Sequence, residues 1–140
     1  MMTQLETIYT NYAEKAYSVR KNARAFDGIL GLGKDPRNDP CHMAYYEEVG
    51  AWVTAFLASD PTQEQVMAAA TYMLEAPAQC VGQEGYWFMY AAHGHIKLLV
   101  PLLRKEDCAA LGQRLEALYK KRDRMPVQKD LLKLLAKGAK

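Results

Sequence analysis

At 140 residues, half of them hydrophobic and 24% charged, the chain has the size and composition of one globular domain over 1–140, which excludes a mostly disordered polypeptide. The formal net charge of +2 conceals an asymmetry: residues 38–96 hold seven acids and no lysine or arginine, whereas Arg104–Lys140 hold eleven basic and five acidic residues. Three widely spaced cysteines, Cys41, Cys80 and Cys108, with no Cys-x-x-Cys, exclude a secreted disulfide framework and point to a reducing cytoplasm.

The first segment, about Thr3 to Phe26, places Leu5, Tyr9, Tyr12, Ala16, Val19, Ala23 and Phe26 alternately four and three apart. That spacing draws one apolar stripe along a helix, with Glu6, Lys15, Arg20, Lys21 and Arg24 off it. Glu6 and the polar residues around it are unlike a secretory signal, which needs a basic end and an apolar run. Gly28, Gly31, Gly33 and Pro36 make Asp27–Asp39 a loop, because glycine costs backbone entropy in a helix and proline removes a donor.

Asp39-Pro40 reads as an N-cap and first helical residue, opening a second helix that runs to about Ala58. Asp60-Pro61, with Gln63 at the capping-box position, opens a third that runs to Glu75 and stops before Pro77. Ala78–Gly85 reads as a loop. A fourth helix covers about Tyr86 to Leu103, with a kink or break at Pro101. A fifth runs from Lys105 to Arg122, ended by Met125-Pro126. A sixth, Val127–Lys137, places Val127, Leu131, Leu134 and Leu135 on one face and Lys129, Lys133 and Lys137 away from it.

No alternating β-branched run competes with these helices. The expected fold is therefore all-α, a compact bundle or short HEAT-like stack of about six helices. Laying Tyr46–Leu74 over Phe88–Leu115 gives a weak match at an offset of about 42 residues, pairing Phe56 with Leu98 and Glu64 with Glu106. The most apolar stretch, Ile96–Leu103, is interrupted by Lys97 and Pro101 and is too short to span a membrane.

Catalytic patterns fail on inspection. Gly28–Lys34 reads G-I-L-G-L-G-K, like the start of a phosphate-binding loop. A helix precedes it where a strand is needed, Asp35 replaces the magnesium-binding hydroxyl, and Pro36 obstructs the following helix. His42, His93 and His95 have no partner with ligand chemistry three or four residues away, apart from Asp39, which is committed to capping. Adjacent Glu47 and Glu48 diverge by about 100° on a helix, and Cys41-His42 point apart with no third orienting group. The residues thus assign no catalytic, cofactor-binding or metal position, and the reading leans away from an enzyme.

Two surfaces remain. Tyr86-Trp87-Phe88-Met89-Tyr90 is too wide for one apolar stripe, so this helix is either enclosed on most sides or contributes to a contact or pocket surface. The candidates there are Tyr86, Trp87, Tyr90, His93 and His95. Lys120, Lys121, Arg122 and Arg124 form a candidate anion-contacting patch, continued by the lysine face of the last helix. The favoured expectation is a non-catalytic, cytoplasmic interaction module that binds protein or itself. A nucleic-acid-associated protein is the alternative, and a small-molecule binder or enzyme with a pocket near residues 86–96 comes third. No motif beyond helical periodicity ties the chain to a family.

Overall fold

The computed structural model describes the backbone of residues 2–12, 40–79 and 83–140, and the side chains of 2–12, 43–77 and 89–140. Within these residues the chain forms six helices and no strand. They are α1 (residues 2–12), α2 (Pro40–Ala58), α3 (Gln63–Glu75), α4 (Gln83–Ile96), α5 (Lys105–Leu118) and α6 (Pro126–Gly138). Short 3₁₀ turns occupy Ala76–Gln79, Val100–Leu102 and Lys121–Asp123. The fold is all-α, as the periodicity predicts. Ala16 to Phe26 of the first stripe, the glycine-rich loop and Asp39 lie outside the described residues.

Local chemistry sets the helix ends. Asp60 adopts a positive φ of 54°, a left-handed conformation that aspartate tolerates better than most side chains, and so it closes α2 rather than capping α3. The cap of α3 is Thr62: its hydroxyl accepts from the Gln65 N–H at 3.2 Å, and the Gln65 side chain accepts from the Thr62 N–H at 2.8 Å. The start predicted at Asp60-Pro61, with Gln63 in the box, is thus displaced by two residues.

Helix α4 begins earlier than predicted, at Gln83, and ends at Ile96 instead of Leu103. The ring of Pro101 would collide with the carbonyl four residues back, at Lys97, so α-helical geometry stops just before that residue. Tighter bonds follow, Leu98 N–H to His95 O and Leu99 N–H to Ile96 O. Helix α5 ends at Leu118, not Arg122, because Tyr119 turns extended and Arg122 belongs to a separate turn. Pro126 sits in the first turn of α6.

The helices stack in two rows. Helices α2, α4 and α6 follow one another in one row, and α3 lies beside α5 in the other, with α3 also packed on α4 and α5 on α6. Helix α1 joins the α3 row: the Tyr9 hydroxyl donates to the Ala76 carbonyl at 2.8 Å, and its ring meets Tyr72 edge-on. Tyr12 packs on Tyr45 of α2. Neighbours in sequence that pack together are therefore α3 with α4 and α5 with α6.

The spacing of the sequence match survives in a corrected register. Helices α2, α4 and α6 begin at 40, 83 and 126, each 43 residues after the last, and their buried positions recur as Val49, Ala92 and Leu135. Phe56 thus corresponds to buried Leu99, whereas Leu98 is 44% exposed. Helices α3 and α5 keep the offset of 42, from 63 to 105, with Val66, Ala69 and Met73 matched by Cys108, Leu111 and Leu115, all buried.

Two close approaches need glycine. A Cβ at Gly138 would fall 2.7 Å from Cys108 Sγ, where α6 meets α5, and a Cβ at Gly50 would fall 2.9 Å from His95 Nε2, where α2 meets α4. Arg114 and Glu75, 2.6 Å apart, tie α5 to α3 at the surface, and Arg104 and Glu64 do so more loosely at 3.7 Å. One expectation for α6 is reversed: Leu134 is 39% exposed, and Gln128 takes a place in the interior.

Candidate functional site

The two histidines of α4 are two residues apart, so they leave the helix on different sides. Each is consumed by a different neighbour. His93 is buried, and its Nε2 donates to the Leu74 carbonyl at the end of α3, 3.1 Å away. That bond fixes the tautomer and leaves Nδ1 to accept from Gln128 Nε2 of α6 at 3.5 Å. Gln128 is fully buried, and its carbonyl oxygen accepts from the Met125 N–H at 3.0 Å, so one side chain caps α6 and holds His93. The Tyr119 ring meets the imidazole edge-on at 5.6 Å.

Burial pushes the His93 pKa down to about 4, against the opposing pull of its bond to Leu74. A neutral imidazole with both nitrogens engaged is a structural joint between α3, α4 and α6, with no nitrogen left for a metal or a substrate proton. Among the described residues no three His, Cys, Asp or Glu side chains are grouped to hold a metal ion.

His95 faces α2. Its Nδ1 donates to the Ala91 carbonyl one turn back at 2.7 Å, and its other edge rests on the backbone at Gly50. Burial lowers its pKa; the Ala91 bond opposes this and the charge of Lys97 adds to it. The Tyr46 ring lies over the imidazole with centroids 4.4 Å apart, and the Tyr90 ring lies 6.1 Å from Tyr46. Tyr46 and Tyr90 are each 41% exposed, and Met43, one helical turn before Tyr46, is 52% exposed.

The seam between α2 and α4 thus carries an aromatic patch with a buried imidazole as its floor. Of the residues expected there, the structure joins Tyr90 to His95 through Tyr46 and sends His93 to the interior. The side chains of Tyr86 and Trp87 lie outside the described residues. Tyr46, Met43 and Gly50 were not singled out by the sequence. Tyr46 follows Tyr45 directly, so the pair straddles the core edge, but only the position of α4 shows which of them stays outside.

The second expected surface divides as well. Lys120, Lys121 and Arg122 are exposed, whereas Arg124 is half-buried and its Nε donates to the Tyr119 carbonyl at 3.0 Å. Arg124 therefore clasps the turn that delivers the Tyr119 ring to His93. Lys129, Lys133 and Lys137 are exposed along α6. No described helix is long and apolar enough to cross a membrane. Compared with protein-family models, curated proteins and solved structures, the chain matches none.

Proposed function

We propose that this chain is a non-catalytic helical interaction module of the cytoplasm, which binds another protein or a second copy of itself through the α2–α4 seam. The observation that carries this reading is the pair of tyrosines, Tyr46 and Tyr90, held half-exposed beside Met43 over a buried histidine. Tyrosine offers a large apolar ring with a polar tip and few rotamers to freeze, which is why it is enriched among the residues that dominate interfaces. The scaffold beneath is rigid, since α4 packs on α2, α3 and α6 at once. A catalytic role finds no support in His93, whose nitrogens are both spent on structure.

The test has two readouts on one variant pair. Sedimentation of the wild-type chain across a concentration series reports self-association, and affinity capture from the native cell reports a foreign partner. Tyr46→Ala and Tyr90→Ala are expected to weaken whichever is seen by about 2 kcal/mol, roughly thirtyfold, with little change in thermal stability. A monomeric wild type that captures nothing the Tyr46→Ala variant fails to capture refutes the proposal.

A further inference from the structure

The cations of the α5/α6 region differ in what they meet. Arg104 and Arg114 are paired with Glu64 and Glu75 of α3. Lys120, Lys121 and Arg122, in the turn before α6, and Lys129, Lys133 and Lys137, along it, are all exposed, and none forms an ion pair within the described residues. The three helix lysines are four residues apart, so they line one stripe. That stripe lies opposite Gln128, Leu131 and Leu135, which are buried. Like charges at this spacing repel one another and add nothing to the stability of α6. The arrangement is a row of positive charge on α6 and the turn before it, diluted by Asp123 and Asp130.

We propose that this row is a second binding surface, one that takes the phosphate backbone of duplex nucleic acid without reading its sequence. Three features select that partner. On α6 the row spans Lys129 to Lys137, about 12 Å, which faces about four phosphates of one strand, and Lys120, Lys121 and Arg122 precede it in the turn. The apolar face of α6 is locked into the core by Leu131 and Leu135, so the helix has no face free to enter a bilayer as an amphipathic membrane anchor does. The large hydrophobic side chains exposed on the described residues include no aromatic on α6 or the turn before it, so unpaired bases find no stacking platform there. Lysine ammonium groups without planar, bidentate partners make point-charge contacts to phosphate and leave base edges unread.

Fluorescence anisotropy with the full chain and a labelled DNA duplex of about 20 base pairs tests the assignment. About five net phosphate contacts predict a slope of log affinity against log salt near −4.5, a loss on the order of 500-fold between about 50 and about 200 mM salt. Lys133→Gln should reduce that slope by about 1, and the triple variant Lys129→Glu, Lys133→Glu, Lys137→Glu should abolish binding while its circular dichroism stays unchanged. Thr54→Ala, on α2 and outside the row, should bind as the wild type does. Two duplexes of unrelated sequence should bind equally. Absence of duplex binding at low salt overturns the proposal, as does binding that persists in the triple variant. Binding to phosphatidylserine vesicles without binding to the duplex overturns it in favour of a lipid surface.

Discussion

The middle of the stack and its C-terminal hairpin solve the same packing problem with opposite charge patterns. Helix α4 is flanked by α2 and α6 in its own row and by α3 across from it, and it lies at the end of a 59-residue stretch, 38–96, without one lysine or arginine. Helix α6 is the last of its row and carries lysines along its outer face. A long cationic side chain needs water around its head, so an enclosed helix has little room for it and a terminal helix has one whole face. The neighbours of each helix, more than its own nature, decide where charge is placed.

Three measurements sharpen that contrast. The largest effect belongs to the middle: Ile96→Ala, at a buried position of the most enclosed helix, should cost about 3–5 kcal/mol by urea unfolding. A truncation on α6, Leu134→Ala, should cost only about 1 kcal/mol, because that side chain is already 39% exposed. Equal losses would show that Leu134 is as enclosed as Ile96.

Next comes pH. The folded chain holds His93 with a pKa of about 4, whereas the unfolded chain titrates it near 6.5. Between those values the unfolded state takes up the proton and the folded state does not, so stability is full above about pH 6.5 and falls as pH drops towards 4. The total is on the order of 3 kcal/mol for this one buried group. His95 shifts in the same direction and adds to the loss. Unfolding of wild type and His93→Gln at pH 7 and pH 4.5 should converge as the pH falls; parallel losses would show that His93 is not the titrating group.

The smallest of the three concerns the joint between the two regions. Gln128→Leu removes the acceptor of the Met125 N–H and the donor to His93 Nδ1 in one change. The cost should be about 1–3 kcal/mol, since one buried and one part-buried polar group lose their partner. The His93 pKa, followed by NMR, should move in the same variant, which separates a broken joint from simple loss of packing.

Periodicity and punctuation are local properties, and they were legible in the residues themselves. The stripe of Leu5, Tyr9 and Tyr12 packs as its spacing requires, with Leu5 and Tyr12 buried and Tyr9 partly so. Pro40 opens α2 and Glu75 ends α3, because proline and capping chemistry act within one turn of helix, whereas Pro126, read as the stop of the fifth helix, instead opens α6. The lysine face of α6 was legible for the same reason. The end of α4 at Ile96 was hidden only by one step, since the clash imposed by Pro101 acts four residues upstream of the proline itself.

What periodicity does not contain is the identity of the neighbour across each face. His93 and His95 have the same chemistry and sit two residues apart. The first becomes a neutral strut between α3 and α6 and the second the floor of a surface patch, because different helices happen to lie opposite them. Gln128 reads as a polar surface residue until α4 brings His93 and Met89 to its amide, at 3.5 and 3.4 Å. Tyr46 and Tyr90, 44 positions apart in sequence, form one surface only because α2 and α4 are adjacent in their row. Helix identity follows from hydrogen bonds within a few residues, which sequence encodes directly. Side-chain fate follows from contacts between residues distant in the chain, and those exist only once the helices have stacked.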